Sequence, residues 1–563
     1  MLKKVLSVST AMAMLFAANS QDLTDKQVAA LSPQANVNVK GNINDAKNNS
    51  AVGTAATLKT STLTTEGVQK VSLADVENVG KIDKVNDEVY RVGYSEKGVS
   101  SSFRKKKFAD TVPHSADPFA WGDFSWMNGQ SRKTSAPAFD SKYFTGDVTF
   151  DLNSSYSFAD PIDNTVVGST AVSRNNELQL SFAGMGGDIH YGNVRGRVMM
   201  QFGTRATVVP RNDISSYKGQ YDLQTIYRYI SEAYAGYHWD KWHGINLDAG
   251  IFMSYIGLFS YNNFENWGYQ PSFTSDNTPW FFNGVRLQTF PTDRLKLELW
   301  LVNGWQSYGT FNHSPGIGAS IYYRPKESIA WVFNNYYGQD DQLAPGRIRY
   351  HLDYSFLHRY YNNPAAKGIK KAAFSITTDF GGENGKDAFG NDVSPFGHRK
   401  GTTAQNFISA MAYNRIWIGN HFAWTIGGGF MHNPGQYLVL APTGYADTLF
   451  QQQTGPGSTF NAWDGSTTFE WDVNQNLTLK LEYVHRKIID MHGIKGSTDL
   501  DGYFAGHGGV TGPTGYQYGG GSGYSAYTSS GAAIAPPLSA QGGWMPGLSK
   551  EENRIIIALM VRF

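Results

Sequence analysis

The chain reads as all-β: an antiparallel transmembrane β-barrel of about sixteen strands, with a largely irregular N-terminal extension. Three observations predict it. Runs of alternating apolar and polar residues recur from residue 142 onward. The connections between these runs alternate between long and short. The chain opens on an export signal and closes on an aromatic residue.

The clearest runs are 284–290 and 295–302, joined by Pro291-Thr292-Asp293-Arg294. Period-two alternation means a strand with two unlike faces. A proline and an aspartate between two such runs read as a hairpin turn. Leu295, Leu297, Leu299 and Leu301 share one face, and Lys296, Glu298 and Trp300 the other. The pattern begins earlier, at 143–158, where Val148, Phe150 and Leu152 oppose Thr149, Asp151 and Asn153. Runs at 177–183, 193–203, 229–239 and 245–253 follow. After the hairpin come 315–323, 328–338, 347–356, 372–380, 404–413, 422–429, 466–472, 477–485 and 554–563.

Long connections fall near 159–176, 204–228, 254–282, 304–314, 339–346, 381–403, 430–465 and 486–553. Short ones fall at 240–244, 291–294, 324–327, 364–370, 418–421 and 473–476. An outer-membrane barrel has short periplasmic turns and long extracellular loops, whereas a two-sheet sandwich gives no reason for such parity. The last run places Ile555, Ile557, Leu559, Val561 and Phe563 on one face. A final aromatic on an alternating strand resembles the signal by which the outer-membrane assembly machinery recognises its barrels, and Phe563 is the expected signal residue.

Composition agrees. The 563 residues are 14% aromatic and 17% charged, contain 61 glycines and carry a net charge of +1. The mean hydropathy of −0.38 shows no bulk hydrophobicity. A near-neutral chain lacks the basic excess of a nucleic-acid binder. Arg104-Lys105-Lys106-Lys107 is the one strong basic cluster and reads as a solvated surface. Lys3 and Lys4 precede an apolar stretch at 5–17, and Ala18-Asn19-Ser20 offers a cleavage site before Gln21, so 1–20 reads as a signal peptide. No later run of about 18 apolar residues suggests a membrane-crossing helix. With no cysteine, disulfides, thiolate metal sites and cysteine nucleophiles are excluded.

Three domains result: the signal peptide at 1–20, a polar extension at 21–140, and the barrel at 141–563. The extension has too few apolar residues for a core of its own, so it is expected to be partly disordered, either periplasmic or folded into the lumen. Its aromatic cluster of Phe119, Trp121, Phe124 and Trp126 reads as an approach to the membrane interface. The Gly/Tyr-rich stretch at 498–548 reads as a flexible extracellular loop.

In a bilayer the apolar strand faces meet lipid and the polar faces meet the lumen. The pore-lining candidates are Arg195, Arg197, Arg286, Lys296, Glu298, Asp379, Lys480, Glu482, Arg554 and Arg562. Arg195, Arg197, Arg286 and Arg562 form either a basic rung facing acids or a set of ion pairs with lumenal carboxylates. The loop at 254–282 is the expected constriction, with Tyr261, Phe264, Glu265, Trp267, Tyr269 and Asp276 as its candidate residues. Folded inward it narrows the bore; folded outward it caps the barrel; an inward or rim position is the expectation.

Chemistry is not expected. Gly427-Gly428-Gly429 has no following Lys-Ser/Thr and is a strand run, not a phosphate loop. His485, His492 and His507 lack metal-ligand spacing. No nucleophile elbow or paired-carboxylate spacing stands out, and no cofactor is expected.

Several stretches in order resemble the β-barrel porin-2, OmpL-like family. They are Glu232-Ala233-Tyr234-Ala235-Gly236-Tyr237, Gly250-Ile251-Phe252, Ile256-Gly257, Asn266-Trp267-Gly268-Tyr269, Gln270-Pro271-Ser272-Phe273, Thr278-Pro279, Asn283-Gly284-Val285-Arg286, Thr292-Asp293-Arg294-Leu295 and Val302-Asn303-Gly304-Trp305. The extension at 21–140 and the insertion at 498–548 depart from the family's pattern. The resemblance implies a Gram-negative outer-membrane channel for small hydrophilic solutes, with lipid and the assembly machinery as partners, working as one copy or as a homo-oligomer. The alternative is a closed or plugged barrel serving as a surface-binding or structural scaffold.

Overall fold

The computed structural model describes residues 118–563, apart from 133–136, 211–212, 214, 216–219, 311, 340–345, 387–391, 397–402, 435–436, 438–458, 493–502 and 512–543. It also describes a pair of two-residue strands, Tyr94–Ser95 and Val99–Ser100. The export signal, most of the extension at 21–140 and most of the insertion at 498–548 lie outside the described residues.

Sixteen strands close into one barrel. They are β1 (Phe144–Ser157), β2 (Leu178–Tyr191), β3 (Val194–Phe202), β4 (Ile230–Trp239), β5 (Ile245–Met253), β6 (Phe281–Thr292), β7 (Leu295–Val302) and β8 (Gly316–Lys326). Then come β9 (Ile329–Gly338), β10 (Ile348–Asn362), β11 (Ile369–Lys386), β12 (Asn406–Ile418), β13 (Phe422–His432), β14 (Thr459–Asp472), β15 (Leu477–His492) and β16 (Glu551–Arg562). Each pairs antiparallel with its sequence neighbour, and β16 closes the ring on β1 through pairs such as Leu559 with Leu152. No described helix is long and apolar enough to cross a membrane. Closure leaves no sheet edge with unpaired backbone groups.

The alternation sorts side chains as expected. Along β7, Lys296, Glu298, Trp300 and Val302 are buried, while Leu299 and Leu301 are exposed on the outside. Along β16, Glu552, Arg554, Ile556, Ala558, Met560 and Arg562 point in, and Ile555, Ile557 and Leu559 point out. Outward Tyr143, Tyr191, Trp239, Phe422, Trp424 and Trp471 lie near the short-turn end. Such amphipathic rings suit a membrane–water boundary. Phe563 lies at the same end: its backbone N–H donates to the Val148 carbonyl (2.9 Å) and its side chain is exposed.

The strands differ from the sequence reading chiefly in length. β2 runs on to Tyr191 instead of stopping at Ala183, and turns into β3 at Gly192-Asn193. Gly184, Gly186 and Gly187 interrupt its apolar pattern, and a side chain at Gly186 would overlap the Val198 carbonyl of β3. Several strands also extend toward the long-loop end, where the outer face becomes polar and the alternation fades: β10 and β11 pair out to Arg349 and Glu383. At 504–511 and 544–549 the last long connection forms a hairpin of its own.

Candidate lumenal site

The loop between β5 and β6 folds into the barrel. Tyr255 enters first, stacked on Trp300 (4.7 Å) and Phe282 (5.1 Å), its hydroxyl donating to the Asn335 carbonyl (2.8 Å). Gly318 on β8 makes the seat, since a Cβ there would overlap the Tyr255 hydroxyl. A 3₁₀ turn at Asn263–Glu265 and a short helix at Phe273–Asp276 follow, the latter capped by the Ser272 side chain. Tyr261, Glu265, Trp267, Tyr269 and Asp276 are buried and Phe264 is half-buried, so all six constriction candidates stand inside the ring.

Charged groups of the wall hold this loop by its backbone. Lys480 on β15 donates to the carbonyls of Asn263 (3.1 Å), Asn266 (2.6 Å) and Gly268 (3.1 Å). Two residues on, Glu482 accepts from the backbone N–H groups of Tyr269 (2.6 Å) and Gln270 (2.7 Å). Asp464 accepts from the Ser272 hydroxyl and the Phe273 N–H (both 2.8 Å), and Asp353 from the Gly257 N–H (2.8 Å). Asp151 takes the Tyr269 hydroxyl and the Asn263 amide, both at 2.8 Å. Arg554 reaches Gln270 (2.5 Å), Arg486 pairs with Asp276 (3.0 Å), and Arg562 lies 3.7 Å from Glu265 and over the Phe264 ring (4.7 Å). Hydrogen bonds to an ionised partner are shorter and stronger than neutral ones. A backbone withdrawn from water needs partners for all its polar groups, and these strands supply many of them. Burial pushes the Glu265 and Asp276 carboxyls up from their ordinary range, against the nearby guanidiniums of Arg562 and Arg486.

The remaining pore-lining candidates lie on other strands and meet other partners, apart from Asp147, which lies between Arg197 and Arg562. Arg197 contacts Glu232 (2.6 Å), Asp188 (3.0 Å) and Asp147 (3.1 Å). Arg286 pairs with Asp248 (2.8 Å) and lies over the Phe252 and Tyr234 rings (4.5 and 5.0 Å), while Arg195 stands 3.4 Å from the same Asp248. Lys296 pairs with Glu298 (3.0 Å) and covers the Tyr322 ring (3.6 Å). Asp379 meets His351 at 3.1 Å. All ten candidates therefore point inward and are buried. Arg195, Arg197, Arg286 and Arg562 form ion pairs and not a separate basic rung, because a charge withdrawn from water is stable only beside its opposite.

Several residues of the site were outside the sequence reading. Glu470 on β14 gathers Arg415, Lys480 (3.6 Å) and Arg132 (3.0 Å). Arg486 shares the parity of Lys480 and Glu482 and lay just past the expected strand end. Phe119, Trp121, Phe124 and Trp126, expected at the membrane interface, stand instead inside the short-turn mouth. The Trp121 indole donates to the Asp293 carbonyl (3.1 Å) and the Trp126 indole to the Glu327 carbonyl (2.9 Å). Arg324 lies over Phe119 (4.3 Å) and Phe124 (4.6 Å). A tryptophan needs a partner for its N–H, and the turn carbonyls provide one that lipid does not. His485 touches Asn553 (2.8 Å) and His507 lies 3.4 Å from Asp160. No cluster of metal-ligating groups occurs among the described residues. Gly427, Gly428 and Gly429 lie on β13.

A family model described as "Putative beta-barrel porin-2, OmpL-like" matches residues 144–510, more than half of the chain. The chain belongs to that family. Membership supports an outer-membrane location for this porin-like barrel. Solved structures similar to the porin include the outer membrane channel DcaP of Acinetobacter baumannii, 10% identical over 76% of this chain and 100% of that one, TM-score 0.39. Outer-membrane expressed OmpT of Vibrio cholerae is 7% identical over 76% and 99%, TM-score 0.40. An anion-selective porin from Comamonas acidovorans is 9% identical over 75% and 99%, TM-score 0.38. At these scores the three carry no argument about solute, activity or assembly. No curated protein matches the porin's sequence.

Proposed function

We propose that the chain is an outer-membrane channel for passive diffusion of small hydrophilic solutes, exported by its leader and active without catalysis or cofactor. The reading is carried by one observation: a closed ring of sixteen strands whose wall charges hold a long loop across the bore. A sixteen-stranded ring is wide enough for water. A loop pinned inside such a ring restricts what passes without sealing the membrane by itself. Residues lining the passage carry both signs, which supports weak ion selectivity. Lipid surrounds the outer face; the reading is compatible with one copy or several.

Single-channel recording of the refolded mature protein in a planar bilayer tests this. Stepwise currents are expected, and deletion of 255–281 raises their size. An unchanged step size would dismiss the loop as the constriction.

A second reading has one observation in its favour. Lys480, Glu482 and Arg554 are at most 2% exposed, so the lumen around the loop is packed. That suits a closed scaffold barrel. A folded, heat-modifiable protein that never conducts, with or without the loop, would favour it.

A further inference from the structure

We propose that residues 118–132 are a gate seated in the short-turn mouth of the barrel, and that conduction requires this segment to leave its seat. The proposal rests on the channel reading above and names the part of the chain that closes the bore.

The segment lies inside the lumen and runs from β7 round to β16. It starts at the turn between β6 and β7, where Phe119 N–H donates to the Asp293 carbonyl (2.8 Å) and Arg294 lies over Trp121 (4.5 Å). It passes the turn between β8 and β9, where Trp126 donates to Glu327. Asp123 meets Lys371 (3.2 Å) and Arg359 (3.8 Å), and Asn128 donates to Ser375 on β11 (3.3 Å). The far end reaches β14 and β16: Arg132 pairs with Glu470 (3.0 Å), and Ser131 accepts from Arg562 (2.7 Å). β7 and β16 stand nine strands apart one way round the ring and seven the other. The two ends of the segment thus meet the wall about half a ring apart, and its middle lies against β10 and β11.

It also closes against the constriction loop. Trp267 N–H donates to the Asn128 side chain (2.8 Å), and the Trp267 indole to the Trp126 carbonyl (3.1 Å). Gly129, at φ 72°, lies so near Leu258 that a Cβ would overlap the Leu258 carbonyl. Backbone lies against backbone there. Trp126, Asn128 and Trp267 are each at most 1% exposed.

The seat is built for release. Residues 118–132 form turns and bends and pair with no strand, so withdrawal leaves every rung of the barrel intact. Their polar anchors are one backbone hydrogen bond, side-chain hydrogen bonds and ion pairs, which water can replace; leaving the seat also exposes Phe124, Trp126 and Met127, which are buried in an apolar cluster.

The test uses the absence of native cysteine. Asn128→Cys with Ser375→Cys introduces the only two thiols, on side chains already in contact. A short bifunctional methanethiosulfonate bridges them, and reductant cleaves the bridge. In a planar bilayer the bridged full-length protein is expected to lose its openings, and reductant to restore them. Equal conductance bridged and reduced would overturn the gate and leave the channel standing. Where both states are silent, a triple variant (Trp121→Ala, Trp126→Ala, Asn128→Ala), verified as folded by heat-modifiable mobility, decides. Openings in that variant support the gate, and silence overturns both the gate and the channel reading.

Discussion

Arg197 shows what a lumenal charge needs. Its guanidinium meets three carboxylates, from β1, β2 and β4, and is almost fully withdrawn from water. Arg197→Met would take the shared cation from Asp188 and Glu232 and leave Asp147 with Arg562 alone. Breaking a buried ion pair from one side costs about 3–5 kcal/mol. We expect a loss of that order in urea unfolding from vesicles, well above that of Arg174→Met, whose partner Glu177 is largely solvated. Equal losses would mean that water reaches the Arg197 cluster. Parity along a strand was enough to place Arg197, Lys480 and Glu482 on the inner face. It did not reveal their roles. Glu482 and Tyr269 lie 213 residues apart, and a contact over that distance leaves no periodic trace in a single chain.

At the level of elements, the strands were legible because lipid and lumen impose opposite chemistry on alternate residues. Where that contrast faded, so did the reading: in the glycine-rich half of β2, and in the parts of β10 and β11 toward the long-loop end. The inward fold of the loop at 254–282 was legible from its length and aromatic content, but its seats were not. Gly318 looks like any strand glycine, yet it makes room for the Tyr255 hydroxyl. Gly318→Val keeps β propensity and should unseat the loop, so conductance rises while the heat-modifiable barrel persists. A wild-type step size in this variant would show that Tyr255 does not anchor the loop. The aromatic cluster at 119–126 was misplaced for a related reason: tryptophans favour both a membrane boundary and a cation-lined pocket, and composition does not separate the two.

For the whole molecule the decisive contrast is between outside and inside. Leu299 and Lys296 belong to one strand, three residues apart, on opposite sides of the wall. Leu299→Arg puts a cation toward lipid at mid-strand. The cost there is about 2–4 kcal/mol, to be read as a shift in the folding titration into vesicles. Lys296→Arg, on the lumenal face of the same strand, keeps a cation beside Glu298 and should spare insertion. If both substitutions shifted the titration alike, the assignment of the two faces would fail.

The seam between β16 and β1 joins strands from the two ends of the barrel sequence. The inner loop is gripped from both sides of that seam: by Asp151 of β1 on one side, and by Arg554 of β16 and Lys480 of β15 on the other. Tyr269 stands some two hundred residues before Lys480 and Glu482 in the chain. Until those last strands arrive, the loop has carbonyls and amides with nothing to hold them. Completing the wall and setting its contents in place are therefore a single act, like the fastening of a clasp over what it encloses.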